Sequence, residues 1–189
     1  MTDVQPGDLL LTAGKGFAAE VIRLGAAVRD RPNLVNHAIV VHHETGGVLW
    51  GIEGRPGGAG WVDCRRAMAD RRTVHNASQP GRDAVLRESL CRTVEQAMLG
   101  RAYDWTAIAR SAVESLRLDR LWSERGLWVE FSEDPRDIPG AVICSALADW
   151  AYERAGWANP GDAARTRYTR PEDWLALWIE KGWAEWVEP

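Results

Sequence analysis

Apolar and polar positions alternate and recur along this chain in ways that divide it into short strands and longer helices. Leu9-Leu10-Leu11-Thr12 follows the turn residues Pro6-Gly7 and is closed by Gly14 and Gly16, which predicts a short strand. Phe17, Val21, Leu24 and Val28 then fall on one helical face, so Phe17 to Arg29 predicts a helix that Pro32 limits. Asn36 to His43 is β-branched and apolar, and Glu44-Thr45-Gly46-Gly47 turns it back into Val48 to Glu53, a hairpin. Gly54 to Gly60 is a glycine-rich loop on this reading, and Trp61 to Cys64 and Arg72 to His75 are further short strands. Together they predict an antiparallel sheet of four to six strands.

The second half of the chain reads mostly as helix. Leu86, Leu90, Val94 and Met98 form one stripe over Asp83 to Leu99, Gly100 stops it, and Cys91 sits beside the stripe as core filler. Asp104 to Leu118 predicts another helix with Asp104 as N-cap. Asp119 to Ile138 holds Trp122, Trp128 and Phe131 without clean periodicity and reads as a loop or lid, a length that in compact domains is often functional. After the Pro139-Gly140 turn an apolar run leads into a helix over Cys144 to Ala155, ended by Gly156. Pro171 opens a last helix, Glu172 to Lys181, with Trp174 and Trp178 one turn apart. The expected fold class is α+β, with residues 1–189 as a single domain carrying an insertion at about 119–138.

The chain has 189 residues, enough for a core without disulfide or metal staples. A net charge of −4 with scattered basic residues leaves no footprint for nucleic acid. The N-terminus lacks the basic start and apolar core of a signal peptide, and no apolar stretch is long enough to span a membrane. A cytoplasmic location is therefore expected, with delivery by a phage particle or a secretion machine as the other route. The three cysteines, Cys64, Cys91 and Cys144, are odd in number and widely spaced, so neither a disulfide framework nor a zinc knuckle is expected. The four tryptophans from Trp174 to Trp186 predict packing of the C-terminal helix onto the core; a protein partner docking on that Trp-rich C-terminus is the competing reading.

The chemistry centres on Cys144. A thiol in the first turn of a helix meets unpaired backbone N–H groups and the positive end of the helix dipole, which favour the thiolate. The same N–H groups suit a developing oxyanion. A nucleophilic thiol needs a base, and the base needs a third group to orient it. The hairpin offers both, because antiparallel pairing brings the start of its first strand, His37, beside the end of its second, Glu53. Read singly, Cys144 is also an apolar filler, His37 a capping or core histidine, and Glu53 a solvated strand end. Read together they predict a Cys144–His37–Glu53 triad. His43 shares strand parity with His37 and stands as the reserve base.

Five segments carry a family resemblance. Gly7-Asp8-Leu9-Leu10-Leu11, Asn36-His37-Ala38-Ile39-Val40, Ile52-Glu53-Gly54, Gly100-Arg101-Ala102-Tyr103-Asp104-Trp105 and Ile143-Cys144-Ser145-Ala146-Leu147 together resemble the circularly permuted papain-like hydrolases. These are relatives of the NlpC-type cell-wall peptidases and, more distantly, of the lecithin retinol acyltransferases. The order histidine, acidic residue, cysteine is that of the permuted branch, and the likeness runs from about Pro6 to Trp174. It implies a papain-like fold with a small antiparallel sheet packed on the cysteine-bearing helix, with Cys144 as nucleophile, His37 as base and Glu53 as third polar residue. It implies a cysteine hydrolase acting on an amide, such as a peptidoglycan peptide, or else an acyl-ester hydrolase or acyltransferase on lipid-like substrates. No cofactor is expected.

Two other classes compete. A metal site drawn from His37, His42, His43, His75 and Glu53 lacks ligand spacing, and adjacent His42 and His43 on a regular strand point to opposite faces. A catalytically silent component of a larger assembly would keep the fold, but simple packing does not call for cysteine, histidine and glutamate together.

Overall fold

The computed structural model describes residues 4–15, 20, 34–76, 79–81, 83–103, 141–142, 144–157 and 170–187. Apart from residue 20, the predicted helices at 17–29 and 104–118 and the predicted lid at 119–138 lie outside the described residues. What is described is an α+β fold built on one six-stranded antiparallel sheet.

The strands, in chain order, are β1 (Leu9–Thr12), β2 (His37–Thr45), β3 (Val48–Arg55), β4 (Gly58–Asp63) and β5 (Thr73–His75). Two short strands, β6 (Ala102–Tyr103) and β7 (Ala141–Val142), pair in parallel with each other. β8 (Glu185–Val187) completes the main sheet, whose order is β4-β3-β2-β1-β5-β8. Four helices are described: α1 (Cys64–Asp70), α2 (Ala84–Met98), α3 (Cys144–Arg154) and α4 (Pro171–Lys181). None of the described helices is long and apolar enough to cross a membrane.

Side chains alternate across a strand, and here both faces are covered, so β1 is buried along its whole length. Leu9, Leu11, Ala38, Val40 and Ile52 face the larger cluster, shared with Leu90, Val94 and Met98 of α2, Ala148, Ala151 and Tyr152 of α3, and Trp174, Leu175 and Trp178 of α4. Leu10, Ile39, Val41 and Leu49 face the smaller cluster with Cys64 and Ala67 of α1. The C-terminal tryptophans divide accordingly. Trp174 and Trp178 are fully buried, while Trp186 lies at the sheet edge beneath the Arg72 guanidinium, 4.2 Å from its ring centre.

Three expectations change. The glycine-rich stretch from Gly54 to Gly60 is not a loop, because β3 runs on to Arg55, turns through Pro56-Gly57 and pairs back as Arg55↔Gly58 and Glu53↔Gly60. The strand ending at Cys64 stops one residue earlier, where Asp63 caps a helix by accepting the Arg66 backbone N–H at 3.1 Å. A sixth strand, β8, closes against β5 with Val74 opposite Trp186.

Helix α3 is tied to the sheet by a buried polar chain. The Tyr152 hydroxyl donates to the Gly7 carbonyl at 3.1 Å and accepts from Asn76 Nδ2 at 3.2 Å, while Asn76 Oδ1 accepts the Leu9 N–H. Gly7 has φ +86°, and a Cβ there would fall 2.8 Å from Arg87 Cγ. That close approach lets Arg87 reach the buried Asp8 carboxylate at 2.7 Å and the Pro6 carbonyl at 2.7 Å.

Helix α1 packs where β3 has no side chain. A Cβ on Gly51 would sit 2.7 Å from Cys64 Sγ, 2.7 Å from Ile39 Cγ2 and 2.9 Å from the Val40 carbonyl oxygen. Gly51→Ala is expected to destabilise the protein by about 1–3 kcal/mol through overpacking. A urea melt checks this, and an unchanged midpoint would contradict the close seating of α1 on β3.

Candidate active site

The site forms at the end of the sheet where β2 begins. Asn36, buried just before it, replaces a missing rung of the ladder: its Oδ1 accepts the Gly14 N–H at 2.6 Å and its Nδ2 donates to the Gly14 carbonyl at 3.2 Å. Thr12 pairs with His37 on one side of β2 and Glu53 pairs with Ile39 on the other. His37 and Glu53 are therefore diagonal neighbours on one face, within reach of each other. His37 Nε2 lies 2.6 Å from Glu53 Oε2.

Cys144 is the first residue of α3 and is 3% exposed. Its sulfur is hydrogen-bonded to the His37 ring and receives the backbone N–H groups of Ala38 and Ser145. With Nε2 of His37 held by Glu53, Nδ1 is the ring nitrogen left for the sulfur. The structure thus brings all three sequence-predicted residues together in the chain sulfur, imidazole, carboxylate.

Electrostatics favour the charged forms. Burial opposes the Cys144 thiolate, but the neighbouring His37 charge and hydrogen bond, with the two backbone N–H groups, hold the thiol below its ordinary value. Burial likewise opposes the His37 imidazolium, yet the Cys144 charge and hydrogen bond, joined by Glu53, raise it to about 10. Glu53 is buried too, and the His37 hydrogen bond and charge, then Arg55 and Arg71, hold its carboxyl below the usual range. The other cysteines behave oppositely. Burial, then the charges of Asp63 and Glu53, push Cys64 up to about 12. Burial pushes Cys91 up to about 11 against the Gly7 N–H and Arg87, which pull it down. Of the three thiols, Cys144 alone is held below its ordinary value.

The reserve base, His43, lies elsewhere. The ladder slips between Val41 and His43, a β-bulge, and after it His43 pairs with Trp50. The bulge breaks the two-residue alternation, so His42 and His43 do not point to opposite faces. Their Nδ1 atoms lie 2.8 Å apart, and both rings stand edge-on to Trp61. With ring centres 5.0 Å apart, about 1.1 Å remains on each side, so the two nitrogens face each other head-on as in a hydrogen bond. A metal bridging them would need both to converge on a third point. Among the described residues no group of three or more His, Cys, Asp or Glu is arranged to hold a metal ion.

His42 also faces α2, where its Nε2 lies 3.4 Å from Glu95 and close to the Cys91 carbonyl. It borders a cleft of about 450 Å³ shared with Arg87, Glu88, Arg92 and Glu95, separate from the Cys144 sulfur.

Compared with known proteins, the chain matches no protein-family profile and no curated protein. Two residues of the site went unread in the sequence. In the sequence Asn36 reads as a strand start and as part of the family-like segment, without a sign of its bonds to Gly14, whose spacing is set by the β1–β2 pairing. Arg55, two residues beyond Glu53 and so on its face, falls in the stretch that reads as a loop; its Nη1 lies 3.5 Å from Glu53 Oε1.

Burial, the leading cause, and the His43 charge lower the pKa of His42, against the Glu95 charge that raises it. The folded state therefore binds fewer protons there than the unfolded chain, and stability falls as pH drops below the unfolded value of about 6.5. The urea midpoint is expected to decrease between pH 7 and pH 5.5, and to decrease less in His42→Phe. Equal slopes in the two proteins would remove His42 as the cause.

Proposed function

We propose that this protein is a cysteine hydrolase that cleaves an amide bond through Cys144, His37 and Glu53. The observation that carries the reading is the sulfur of a helix-start cysteine hydrogen-bonded to an imidazole whose far nitrogen lies 2.6 Å from a buried carboxylate. The resemblance to the permuted papain-like hydrolases supports the same reading and points to peptide amides such as those of peptidoglycan.

The chemistry follows from that arrangement. The Cys144 thiolate attacks the carbonyl carbon, a C–S bond forms and the carbonyl π pair moves onto oxygen. The backbone N–H of Cys144 at the helix start is a donor for that oxyanion, a type of contact worth about 3–4 kcal/mol of barrier. Collapse of the tetrahedral adduct breaks the C–N bond, and the departing amine takes the proton from His37 Nδ1. Water then gives a proton to neutral His37 as its oxygen attacks the thioester carbon. The C–S bond breaks, the acid is released, and the thiolate and imidazolium are restored. Glu53 holds the ring and stabilises its positive charge throughout.

The working state is the thiolate–imidazolium pair, which exists above the lowered Cys144 value and below the raised His37 value. Turnover is expected to reach a plateau at mild pH and to fall as pH rises toward about 10, where His37 loses its proton. Purified protein screened against peptidoglycan fragments and acyl esters tests the reading. Cys144→Ala and His37→Ala should lose turnover, and Glu53→Gln should lose about 10²-fold or more. Turnover that persists in Cys144→Ala would refute it.

A further inference from the structure

The buried Glu53 carboxylate has two oxygens, and the hydrolase reading uses one. Oε2 meets His37 Nε2 at 2.6 Å; Oε1 faces Arg55 Nη1 at 3.5 Å. The two partners are unequal in setting, because the His37 side chain is 16% exposed and that of Arg55 is 53% exposed. Arg55 thus stands between the carboxylate and solvent, at the rim of the site.

The route of its side chain is set by a glycine on the neighbouring strand. β3 and β4 pair Glu53 with Gly60 and Arg55 with Gly58, so Gly60 lies on the diagonal from Arg55. A Cβ built on Gly60 would be 3.4 Å from Arg55 Nη2, 3.9 Å from Nε and 4.0 Å from Cζ. These similar distances describe a guanidinium lying across the bare backbone of Gly60, folded back along β3 toward Glu53. A larger residue at position 60 would occupy that path.

We propose that Arg55 is a positioning residue of the site: laid across Gly60, it holds the outer oxygen of Glu53 so that the inner oxygen stays charged and aimed at His37. The inference rests on the hydrolase reading of Cys144, His37 and Glu53. Its physical basis is that a carboxylate taken out of water needs donors on both oxygens, and Arg supplies a fixed, permanently charged fork. Burial pushes Glu53 toward its neutral form, and Arg55 acts with His37 and Arg71 against that push. Without Arg55, Glu53 takes up its proton at higher pH, the imidazolium loses its anionic partner, and the Cys144 thiolate fails at the acid end of its range. The effect is modest, because a half-exposed ion pair is screened by solvent.

The test is the pH profile of Cys144 alkylation by iodoacetamide, located by peptide mass spectrometry, in the full chain and in Arg55→Met, Arg55→Lys and Gly60→Leu. The acid limb is expected to move up by about half a pH unit in Arg55→Met and in Gly60→Leu, which keeps the arginine but displaces it. Arg55→Lys should restore most of the wild-type limb. A loss of packing alone would lower the urea midpoint without moving that limb. Acid limbs of Arg55→Met and Gly60→Leu that superimpose on an activated wild-type profile overturn the role of Arg55 and leave the hydrolase reading standing. An ordinary thiol profile in the unsubstituted protein overturns the hydrolase reading and this inference with it.

Discussion

Everything at the candidate site depends on the register of β2. That strand is paired on both sides, with Thr12 opposite His37 and Ile39 opposite Glu53, and its entry is pinned by the Asn36 amide on Gly14. A slip of one residue would exchange the two faces, driving Ile39 and Val41 into the cluster built for Ala38 and Val40. The hydrophobic effect therefore guards the His37–Glu53 contact without either residue contributing apolar area. Core packing and site geometry are two expressions of one alignment.

The second constraint is electrostatic. Cys144, His37 and Glu53 lie in a desolvated corner where each charged form is costly alone and favoured by the next group in the chain. Cys64 and Cys91 show what burial does to a thiol in this same protein when no imidazole answers it. The arrangement is thus a cooperative unit, in which removing the middle group would strand two buried charges.

Much of this was legible in the sequence because the relevant signals were local. The β2–β3 hairpin followed from a β-branched run and a Gly-Gly turn, α2 from its stripe of Leu90, Val94 and Met98, and α4 from Pro171. The nearness of His37 and Glu53 followed from hairpin geometry, whereas Cys144 was joined to them by the need of a helix-start thiol for a base and by the family resemblance, with no local signal linking it to the hairpin. The failures were of two kinds. β8 is three residues long and exists through pairing with β5, more than a hundred residues earlier in the chain, a contact with no local trace. The bulge after Val41 and the continuation of β3 to Arg55 were hidden by simple rules, strict alternation in one case and glycine as a breaker in the other. Both rules describe regular backbone, and the histidine pair and Arg55 sit where the backbone departs from them.

The order of the parts along the chain has a consequence in time. Glu53 and Cys144 are separated by 91 residues, and a ribosome adding about 5–20 residues per second needs roughly 5–20 seconds to cover that distance. The strands that carry the imidazole and carboxylate are made first, so the base and its partner can be aligned before any sulfur reaches them. Cys144 meets them only when α3 docks, in a corner that is almost closed to solvent. Between those two moments the growing chain holds His37 and Glu53 in register and has yet to gain Cys144.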